Sequence, residues 1–222
     1  MKRPEPRPFI KENLRLQPAP SVPEILLYTA HSGSGLWRLL GRDNEAPPYW
    51  AYQWAGGAVL ARHILARPEI VAGRRIVDLG TGSGLVGIAA MKSGARHVVA
   101  VDVDPVAIAA AGLNAEANGV ALEFRCADIL DGEPPDADIV LVGDLFYETG
   151  LATRVLAFLD RCHAAGVNVL IGDPRRKDLP TETLVLAAEY AVADFGDTPD
   201  GTQRNSGVYG LRPGDGRLSS TG

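Results

Sequence analysis

Cysteine, positive charge and long apolar stretches are all scarce in this sequence, and each shortage excludes a class of protein. The two cysteines, Cys126 and Cys162, can form neither a disulfide framework nor a four-ligand zinc site. The four histidines are not spaced as metal ligands, so we expect no bound metal. No run approaches about 18 consecutive apolar residues, which excludes a membrane-spanning helix, and we expect no membrane partner. The N-terminal residues also lack the apolar core of a signal peptide, so we expect a cytoplasmic protein.

The charge balance is acidic rather than basic. Lysine and arginine together number 22, against 27 aspartate and glutamate residues, which gives a formal net charge of −5. A protein that neutralises nucleic-acid phosphates is usually basic, so we expect no nucleic-acid partner. The 222 residues, 46% of them hydrophobic, are enough to bury the core of one compact domain with extensions, and we expect this domain to be a monomer.

What the sequence does contain is an α/β pattern between two unusual ends. Residues 1–24 hold six of the sixteen prolines and predict an extended N-terminal arm. Residues 213–222 are polar and glycine-rich and predict a flexible tail. The folded domain is therefore predicted to span residues 25–212.

Short apolar runs alternate with helical patterns in the rest of the chain. The predicted strands are Arg75–Leu79, His97–Val101, Leu122–Cys126, Ala137–Val142, Val167–Ile171, Glu189–Ala193 and Gly207–Leu211. The predicted helices are Gly56–Ala66, Gly84–Ser93, Pro105–Asn118 and Gly150–His163. Because buried strands that alternate with helices form a parallel sheet covered on both faces, we predict a doubly wound α/β fold. Its sheet should be mostly parallel and seven-stranded, preceded by an N-terminal helical or extended segment.

Three alternating glycines follow the first of these strands, and they carry the main functional signal. Gly80, Gly82 and Gly84 let the backbone turn tightly and approach a ligand that a Cβ atom would block. Asp102 ends the next strand about 20 residues later, where a carboxylate can bind ribose hydroxyls. This combination predicts an adenine nucleoside cofactor, but the glycines alone fit both S-adenosylmethionine and a dinucleotide.

Three further features favour S-adenosylmethionine over a dinucleotide. A long segment precedes the first strand, whereas a dinucleotide-binding fold usually starts close to it. Asp128 follows the third strand, where it can accept a hydrogen bond from an adenine amino group, although a turn aspartate is the alternative. Asp144 and Tyr147 follow the fourth strand and should face the same cleft as the glycines. A structural alternative for Asp144 is a cap on the helix that follows it.

Five segments, taken in order, resemble the seven-β-strand S-adenosylmethionine-dependent methyltransferases and, among them, the protein-lysine group. They are Pro47–Gly57, Val77–Ala90, Val101–Gly119, Gly143–Glu148 and Leu170–Pro174. Together with the N-terminal segment Phe9–Leu27, they are most similar to the family of electron transfer flavoprotein β-subunit lysine methyltransferases and its bacterial relatives. The resemblance covers residues 9–212.

The resemblance implies a role for each matching residue. Asp144 and Tyr147 match the D-x-F-Y motif that receives the target lysine, and they are the predicted catalytic residues. Asp102 would bind the ribose, Asp128 would hold the adenine amino group, and Trp54 would border the cofactor. The full predicted cofactor-binding set is Trp54, Asp78, Gly80, Thr81, Gly82, Gly84, Asp102, Val103, Asp128 and Ile129.

The resemblance therefore implies an enzyme that transfers methyl groups from S-adenosylmethionine to lysine side chains of a protein, with S-adenosylhomocysteine as product. The electron transfer flavoprotein β-subunit is the expected substrate. The first alternative is an S-adenosylmethionine-dependent methyltransferase that acts on a ribosomal protein or a small amine. The second is an NAD-binding oxidoreductase or a non-catalytic adenosine-binding module, and the pairing of Asp144 with Tyr147 argues against it.

Overall fold

A computed structural model describes residues 4–39, 47–194 and 203–212, apart from the side chain of Arg204, and the tail predicted at 213–222 lies outside these residues. The helices are α1 (Pro6–Asn13), α2 (Ala55–Ala66), α3 (Leu85–Lys92), α4 (Pro105–Ala117) and α5 (Thr149–Ala164). The strands are β1 (Arg15–Ala19), β2 (Val22–Thr29), β3 (Arg75–Leu79), β4 (His97–Asp102), β5 (Glu123–Cys126), β6 (Ile139–Gly143), β7 (Asn168–Asp173), β8 (Leu184–Val192) and β9 (Arg204–Leu211). Single 3-10 turns lie at Leu36–Arg38, Tyr49–Ala51, Pro68–Ile70 and Thr181–Thr183. Among the described residues, no helix combines the length and the apolar character that crossing a bilayer requires.

Seven strands form one sheet in the order β5-β4-β3-β6-β7-β9-β8. The pairs from β5 to β7 are parallel, and β9 runs antiparallel to both of its neighbours. Strands β3 and β6 lie at the centre because most of their residues are apolar and buried. The predicted doubly wound, mostly parallel seven-stranded sheet is confirmed.

Helices cover both faces of the sheet because successive residues of a strand point to opposite sides. In β3, Ile76 packs into an apolar cluster with Val59 of α2 and Ile88 of α3. The next residue, Val77, packs into a second cluster with Phe158 of α5. With both faces covered, the edge beyond the carboxyl ends of the strands is where such a sheet binds ligands.

The N-terminal segment differs from the extended arm predicted over residues 1–24. Helix α1 forms because proline is well tolerated in a first helical turn and because Phe9 and Ile10 give the helix a buried face. That face packs with Leu113 of α4 in a third apolar cluster. Strands β1 and β2 then form an antiparallel hairpin, so the end of the predicted arm falls inside β2.

Asn114 of α4 and Asn118, which follows the helix, both bind this hairpin, and Asn114 also connects it to the glycine-rich loop after β3. The Asn118 side chain accepts a hydrogen bond from the backbone N–H of Leu26 at 3.0 Å. The Asn114 side chain accepts from the backbone N–H of Tyr28 at 2.8 Å and donates to the carbonyl of Ser83 at 2.8 Å. The N-terminal segment therefore helps to hold the loop in place.

Candidate active site

A cleft of about 440 Å³ opens beyond the carboxyl ends of β3, β4 and β6, a size typical of small-molecule sites. Its walls include the predicted residues Trp54, Asp78, Gly80, Thr81, Gly82, Asp102, Val103, Asp128, Ile129, Asp144 and Tyr147. Gly84 is the one predicted residue outside the lining. Three further residues with side chains suited to binding, Tyr49, Arg154 and Arg176, also line the cleft.

The three glycines of the loop are needed for different reasons, although all have positive φ angles. A Cβ atom on Gly80 would lie 2.8 Å from the Leu145 side chain, and one on Gly84 would lie 3.1 Å from Ala111 of α4. These two glycines permit close packing within the protein. A Cβ atom on Gly82 would have its nearest described neighbour 3.9 Å away, so Gly82 faces open space in the cleft. The Gly82 backbone is therefore the part of the loop that a ligand can approach.

Asp78 holds the loop from inside the protein. Its buried carboxylate accepts hydrogen bonds from the Thr81 hydroxyl at 2.5 Å and from the backbone N–H of Gly87 at 2.9 Å. Burial raises the pKa of the Asp78 carboxyl to about 6. Both hydrogen bonds go to the same oxygen, Oδ2. Through them the carboxylate holds Thr81 of the loop and Gly87 of α3, and it also borders the cleft.

Asp102 lies at the end of β4 and is also connected to the loop. Its Oδ2 accepts from the backbone N–H of Gly82 at 2.9 Å, and its Oδ1 accepts from the backbone N–H of Asp104 at 3.0 Å. Burial raises the pKa of the Asp102 carboxyl, while these two hydrogen bonds act in the opposite direction. Each oxygen keeps a second lone pair, so the carboxylate can still accept from two ribose hydroxyls. Together with the open backbone at Gly82, this set of groups fits an adenosine.

We expect Asp102→Ala to weaken the binding of S-adenosylhomocysteine by about 10- to 150-fold, because hydrogen bonds to a charged group contribute roughly 1.5–3 kcal/mol. Isothermal titration calorimetry measures this change. Asp160→Ala, which removes an exposed carboxylate from α5, is the control and should bind as the wild type does. Wild-type affinity in a folded Asp102→Ala variant would show that Asp102 only supports the loop.

Asp128 and an arginine that the sequence analysis missed lie together on the opposite wall. Asp128 accepts from the backbone N–H of Leu130 at 3.0 Å and from the Arg154 guanidinium at 2.9 Å. Arg154, on α5, also pairs with Asp131 at 2.6 Å. The backbone N–H and the guanidinium lower the pKa of the Asp128 carboxyl, so it stays ionised and able to accept. Ile129 lines the cleft beside it.

Three aromatic side chains form another wall of the cleft. The ring centroid of Tyr49 lies 5.6 Å from that of Trp54 and 5.3 Å from that of Tyr147. The Trp54 indole N–H donates to the Tyr49 carbonyl at 2.8 Å, which fixes the orientation of the ring. Tyr147 is 41% exposed, so this wall continues to the protein surface. Burial raises the pKa of the Tyr147 hydroxyl, and it therefore remains a hydrogen-bond donor at neutral pH.

Asp144 follows β6 in a strained conformation and is held tightly. Its φ angle of 63° is unusual for a residue other than glycine, and its side chain is only 8% exposed. Its Oδ2 accepts from the backbone N–H of Gly56, at the start of α2, at 2.8 Å. Its Oδ1 accepts from Nε of Arg176 at 2.5 Å. Burial raises the pKa of the Asp144 carboxyl, while Arg176 acts in the opposite direction.

The alternative that Asp144 caps the helix after it is wrong. That helix, α5, is capped by Glu148, whose side chain accepts from the backbone N–H groups of Gly150 and Leu151. Asp144 instead contacts the start of α2, and glycine at position 56 is what permits this approach. A Cβ atom there would lie 2.7 Å from the Asp144 backbone nitrogen.

Arg176 connects Asp144 to a second carboxylate, that of Asp194. A terminal nitrogen of Arg176 lies 3.5 Å from Asp194, and Asp194 accepts from the backbone N–H of Ala55 at 3.0 Å. The guanidinium carbon also lies 5.8 Å from the centre of the Trp54 ring. A signal for Arg176 was present in the sequence, because it follows β7 closely and the ends of parallel strands meet at one edge. Asp194 carried the same kind of signal, because it directly follows the predicted strand Glu189–Ala193.

Asp173, at the end of β7, holds the backbone of this arginine in place. Its side chain is fully buried, and its Oδ1 accepts from the backbone N–H of Arg176 at 2.6 Å. Its Oδ2 has no hydrogen-bond partner among the residues that the structure describes. Burial raises the pKa of the Asp173 carboxyl to about 7. In the unfolded chain, an aspartate titrates near about 3.9. The stabilisation that this proton gives the folded state is therefore complete below about pH 4 and is lost as the pH rises through about 7.

We expect Asp173→Asn to make stability less dependent on pH, because asparagine resembles the protonated acid and cannot ionise. The loss of unfolding free energy between about pH 5 and about pH 8 should shrink by about 2–3 kcal/mol. Urea unfolding at the two pH values measures it. The exposed variant Asp160→Asn should keep the wild-type loss. An undiminished loss in Asp173→Asn would mean that the buried carboxyl is already ionised at about pH 5.

Comparisons of this chain with known proteins find similar sequences that are named methyltransferases. The family described as ribosomal protein L11 methyltransferase (PrmA) matches residues 65–145. The electron transfer flavoprotein beta subunit lysine methyltransferase of Xenopus laevis is 34% identical over 217 residues, which cover 94% of this chain and 87% of that protein. The protein of the same name from Homo sapiens is 33% identical over 218 residues, covering 95% and 83%.

Solved structures show the same fold at low sequence identity. A putative RNA methyltransferase from Pyrococcus horikoshii superposes with a TM-score of 0.51 at 16% identity, covering 82% of this chain and 94% of that one. At this identity the likeness concerns the arrangement of strands and helices alone. Within the described ranges, no group of three or more His, Cys, Asp or Glu side chains is arranged so that it could hold a metal ion.

Proposed function

We propose that this chain, which belongs to the electron transfer flavoprotein β-subunit lysine methyltransferase family, methylates lysine side chains of the electron transfer flavoprotein β-subunit. The observation that carries the proposal is the position of Asp144 and Tyr147. Both lie on the wall of the cleft that contains the glycine-rich loop. A target amine and a methyl donor can therefore meet in one cavity.

In the proposed complex, the residues of β3, β4 and β5 hold the adenosine. The Gly82 backbone and the Asp102 carboxylate bind the ribose side, and Asp128 accepts from the adenine amino group. Arg154 keeps Asp128 ionised through its ion pair. Bound S-adenosylmethionine supplies an electrophilic methyl group on a positively charged sulfur. The aromatic wall at Trp54 excludes water from this group.

The residues after β6 bind the target lysine. Asp144 docks the ammonium group, and Tyr147 packs along the side chain and offers its hydroxyl as a hydrogen-bond donor. A lysine with an ordinary pKa of about 10.4 loses its proton at pH 7 at a cost of roughly 4.6 kcal/mol, so the site must do more than dock the cation. Transfer of the lysine from water into the partly buried site lowers this cost, because burial disfavours the charged form.

Methyl transfer then requires mainly proximity and alignment. The amine nitrogen forms a bond to the methyl carbon as the carbon–sulfur bond breaks, and the sulfur keeps that electron pair. The remaining proton passes to water, which the exposed edge at Tyr147 admits. No general base is needed at the methyl group, so the role of Asp144 is to dock and orient the lysine.

A macromolecular target suits the open side of the cleft. Tyr49 and Tyr147 are each more than a third exposed, and Val103 is exposed at the mouth. A long lysine side chain can enter from this side while its own protein stays outside. A ribosomal protein is the second candidate target, and the family match over residues 65–145 favours it. That segment contains the glycine-rich loop and Asp102, so the match concerns the cofactor half of the site more than the target half.

Labelling of a whole lysate tests the proposal. Cell lysate is incubated with the chain and with S-adenosylmethionine that carries a labelled methyl group, and heat-inactivated chain serves as control. A labelled protein identified as the electron transfer flavoprotein β-subunit supports the proposal. Label that appears only in ribosomal protein or only in small molecules would replace it with the corresponding alternative. We also expect the chain to act as a monomer in the cytoplasm.

A further inference from the structure

Arg176 already contacts Asp144, the residue that is proposed to bind the target ammonium. Its Nε lies 2.5 Å from Asp144 Oδ1, and a terminal nitrogen lies 3.5 Å from Asp194. Its guanidinium carbon lies over the Trp54 ring, and the side chain is 24% exposed on the wall of the cleft. The substrate therefore meets an ion pair of Asp144 and Arg176, not an isolated carboxylate.

A carboxylate alone would favour the wrong form of the substrate. It attracts the lysine as an ammonium ion, but only the neutral amine has the lone pair that forms the new bond. A negative charge within about 4–6 Å raises the pKa of a lysine, whereas a positive charge at that distance lowers it. Arg176 can offset the charge of Asp144 and leave its second lone pairs free to accept from the amine.

Building on the proposed function, we propose that Arg176 is a positioning residue for the target lysine, which fixes the Asp144 carboxylate and offsets its negative charge so that the amine can reach the methyl group unprotonated. Two features of the loop that carries Arg176 fix the position of this residue. The Arg176 backbone N–H is held by Asp173. The preceding residue, Arg175, has a φ angle of 66° and directs its own side chain away from the cleft to Glu189.

The other charged groups around Asp144 are mostly acidic. Asp194 follows β8, Asp173 ends β7, and Asp102 ends β4, while Glu148 precedes α5. Tyr147, whose pKa burial raises, contributes a neutral hydroxyl at pH 7. The N-terminus of α2 donates its N–H groups to Asp144 and Asp194. Among these described neighbours, Arg176 is the side-chain cation that contacts Asp144, so its loss makes the surroundings of the amine more negative by one charge. The amine would then hold its proton to a higher pH.

The test is the pH profile of single-turnover methylation of the electron transfer flavoprotein β-subunit. For Arg176→Gln, the rising limb should move by about one pH unit to higher pH, which lowers the rate near pH 7 by about tenfold. Arg176→Lys keeps the charge and should restore most of the wild-type profile. Arg175→Gln removes the neighbouring arginine, whose partner Glu189 lies away from the cleft, and should leave the profile unchanged.

A second readout does not depend on turnover. The pKa of the Asp144 carboxyl, measured by carbon NMR without cofactor, should rise in Arg176→Gln and stay unchanged in Arg175→Gln. Affinity for S-adenosylhomocysteine should remain within a few-fold in all variants. An equal loss of rate at every pH, with the rising limb in place, would overturn this inference. Failure of the wild-type chain to methylate the β-subunit would overturn the proposed function instead, and the NMR titration would still decide whether Arg176 controls Asp144.

Discussion

Asp144→Asn should lower methyl transfer by at least about 100-fold, or roughly 2.7 kcal/mol, while S-adenosylhomocysteine still binds within a few-fold of wild type. The substitution keeps the volume of the side chain and removes its charge, so the target ammonium loses the group that docks it. The proposed contacts to the adenosine lie at the ends of β3, β4 and β5 and are not touched. Single-turnover kinetics measure the first effect and calorimetry the second.

This substitution should also reduce stability, because Asp144 pairs with Arg176 and accepts from the Gly56 backbone. The loss should be about 1–3 kcal/mol, since the Arg176 guanidinium is left with Asp194 as its remaining carboxylate contact. Rates must therefore be compared per folded molecule. Asp160→Asn is the control that makes the same chemical change at an exposed site on α5. Tyr147→Phe should lose less activity than Asp144→Asn, because its ring still packs against the lysine side chain.

A purely structural role for Asp144 predicts the opposite pattern. Stability would fall while each folded molecule kept its wild-type rate. That result would place the lysine site elsewhere in the cleft. It would also remove the reason for Arg176 to affect the pH profile.

Gly82→Val should reduce cofactor binding below detection, with only a modest fall in melting temperature. A valine side chain would project into the open space of the cleft where a ligand approaches the backbone. The φ angle of 52° also disfavours a β-branched residue, and such strain is worth about 1–3 kcal/mol. Titration with S-adenosylhomocysteine and thermal unfolding together measure the two effects.

Gly119→Val separates backbone strain from blockage of the cleft. Gly119 follows α4 with a φ angle of 67°, and a Cβ atom there meets no described atom within 4 Å. This control should show a similar loss of stability with normal binding. If Gly82→Val also bound normally, the loop would have a structural role only.

The sequence was most informative where burial alone decides the structure. The predicted strand Arg75–Leu79 has the same bounds as β3, because a short apolar run that ends at glycine is typical of a buried strand. Strand β8 begins at Leu184, five residues before its predicted start at Glu189. Residues 184–188, its first half, are apolar in sequence but largely exposed at the edge of the sheet, so they lack the burial expected of such a run. Helix α1 was missed because prolines that start a helix were interpreted as extended chain.

The candidate site could be predicted in part, since strand ends and glycine patterns are local. Asp102, Asp128, Asp144 and Tyr147 all line the predicted cleft. Arg154 and Gly56 were not foreseen as partners, because they reach these residues only through tertiary packing, and Arg176 was missed although it closely follows a predicted strand. The sequence placed Asp144 correctly at the end of a strand, but only the fold revealed that an arginine shares its charge. The chemistry of the pair thus depends on contacts between residues 32 positions apart.

The most direct test of the proposed function is peptide mass spectrometry of purified electron transfer flavoprotein β-subunit after incubation with this chain and S-adenosylmethionine. We predict that lysine side chains gain the mass of one or more methyl groups after incubation with the wild-type chain. With Asp144→Asn this gain should be nearly absent. Ribosomal protein L11, supplied in parallel at the same concentration, should remain unmodified. An unmodified β-subunit beside methylated L11, or methyl groups on residues other than lysine, would contradict this account.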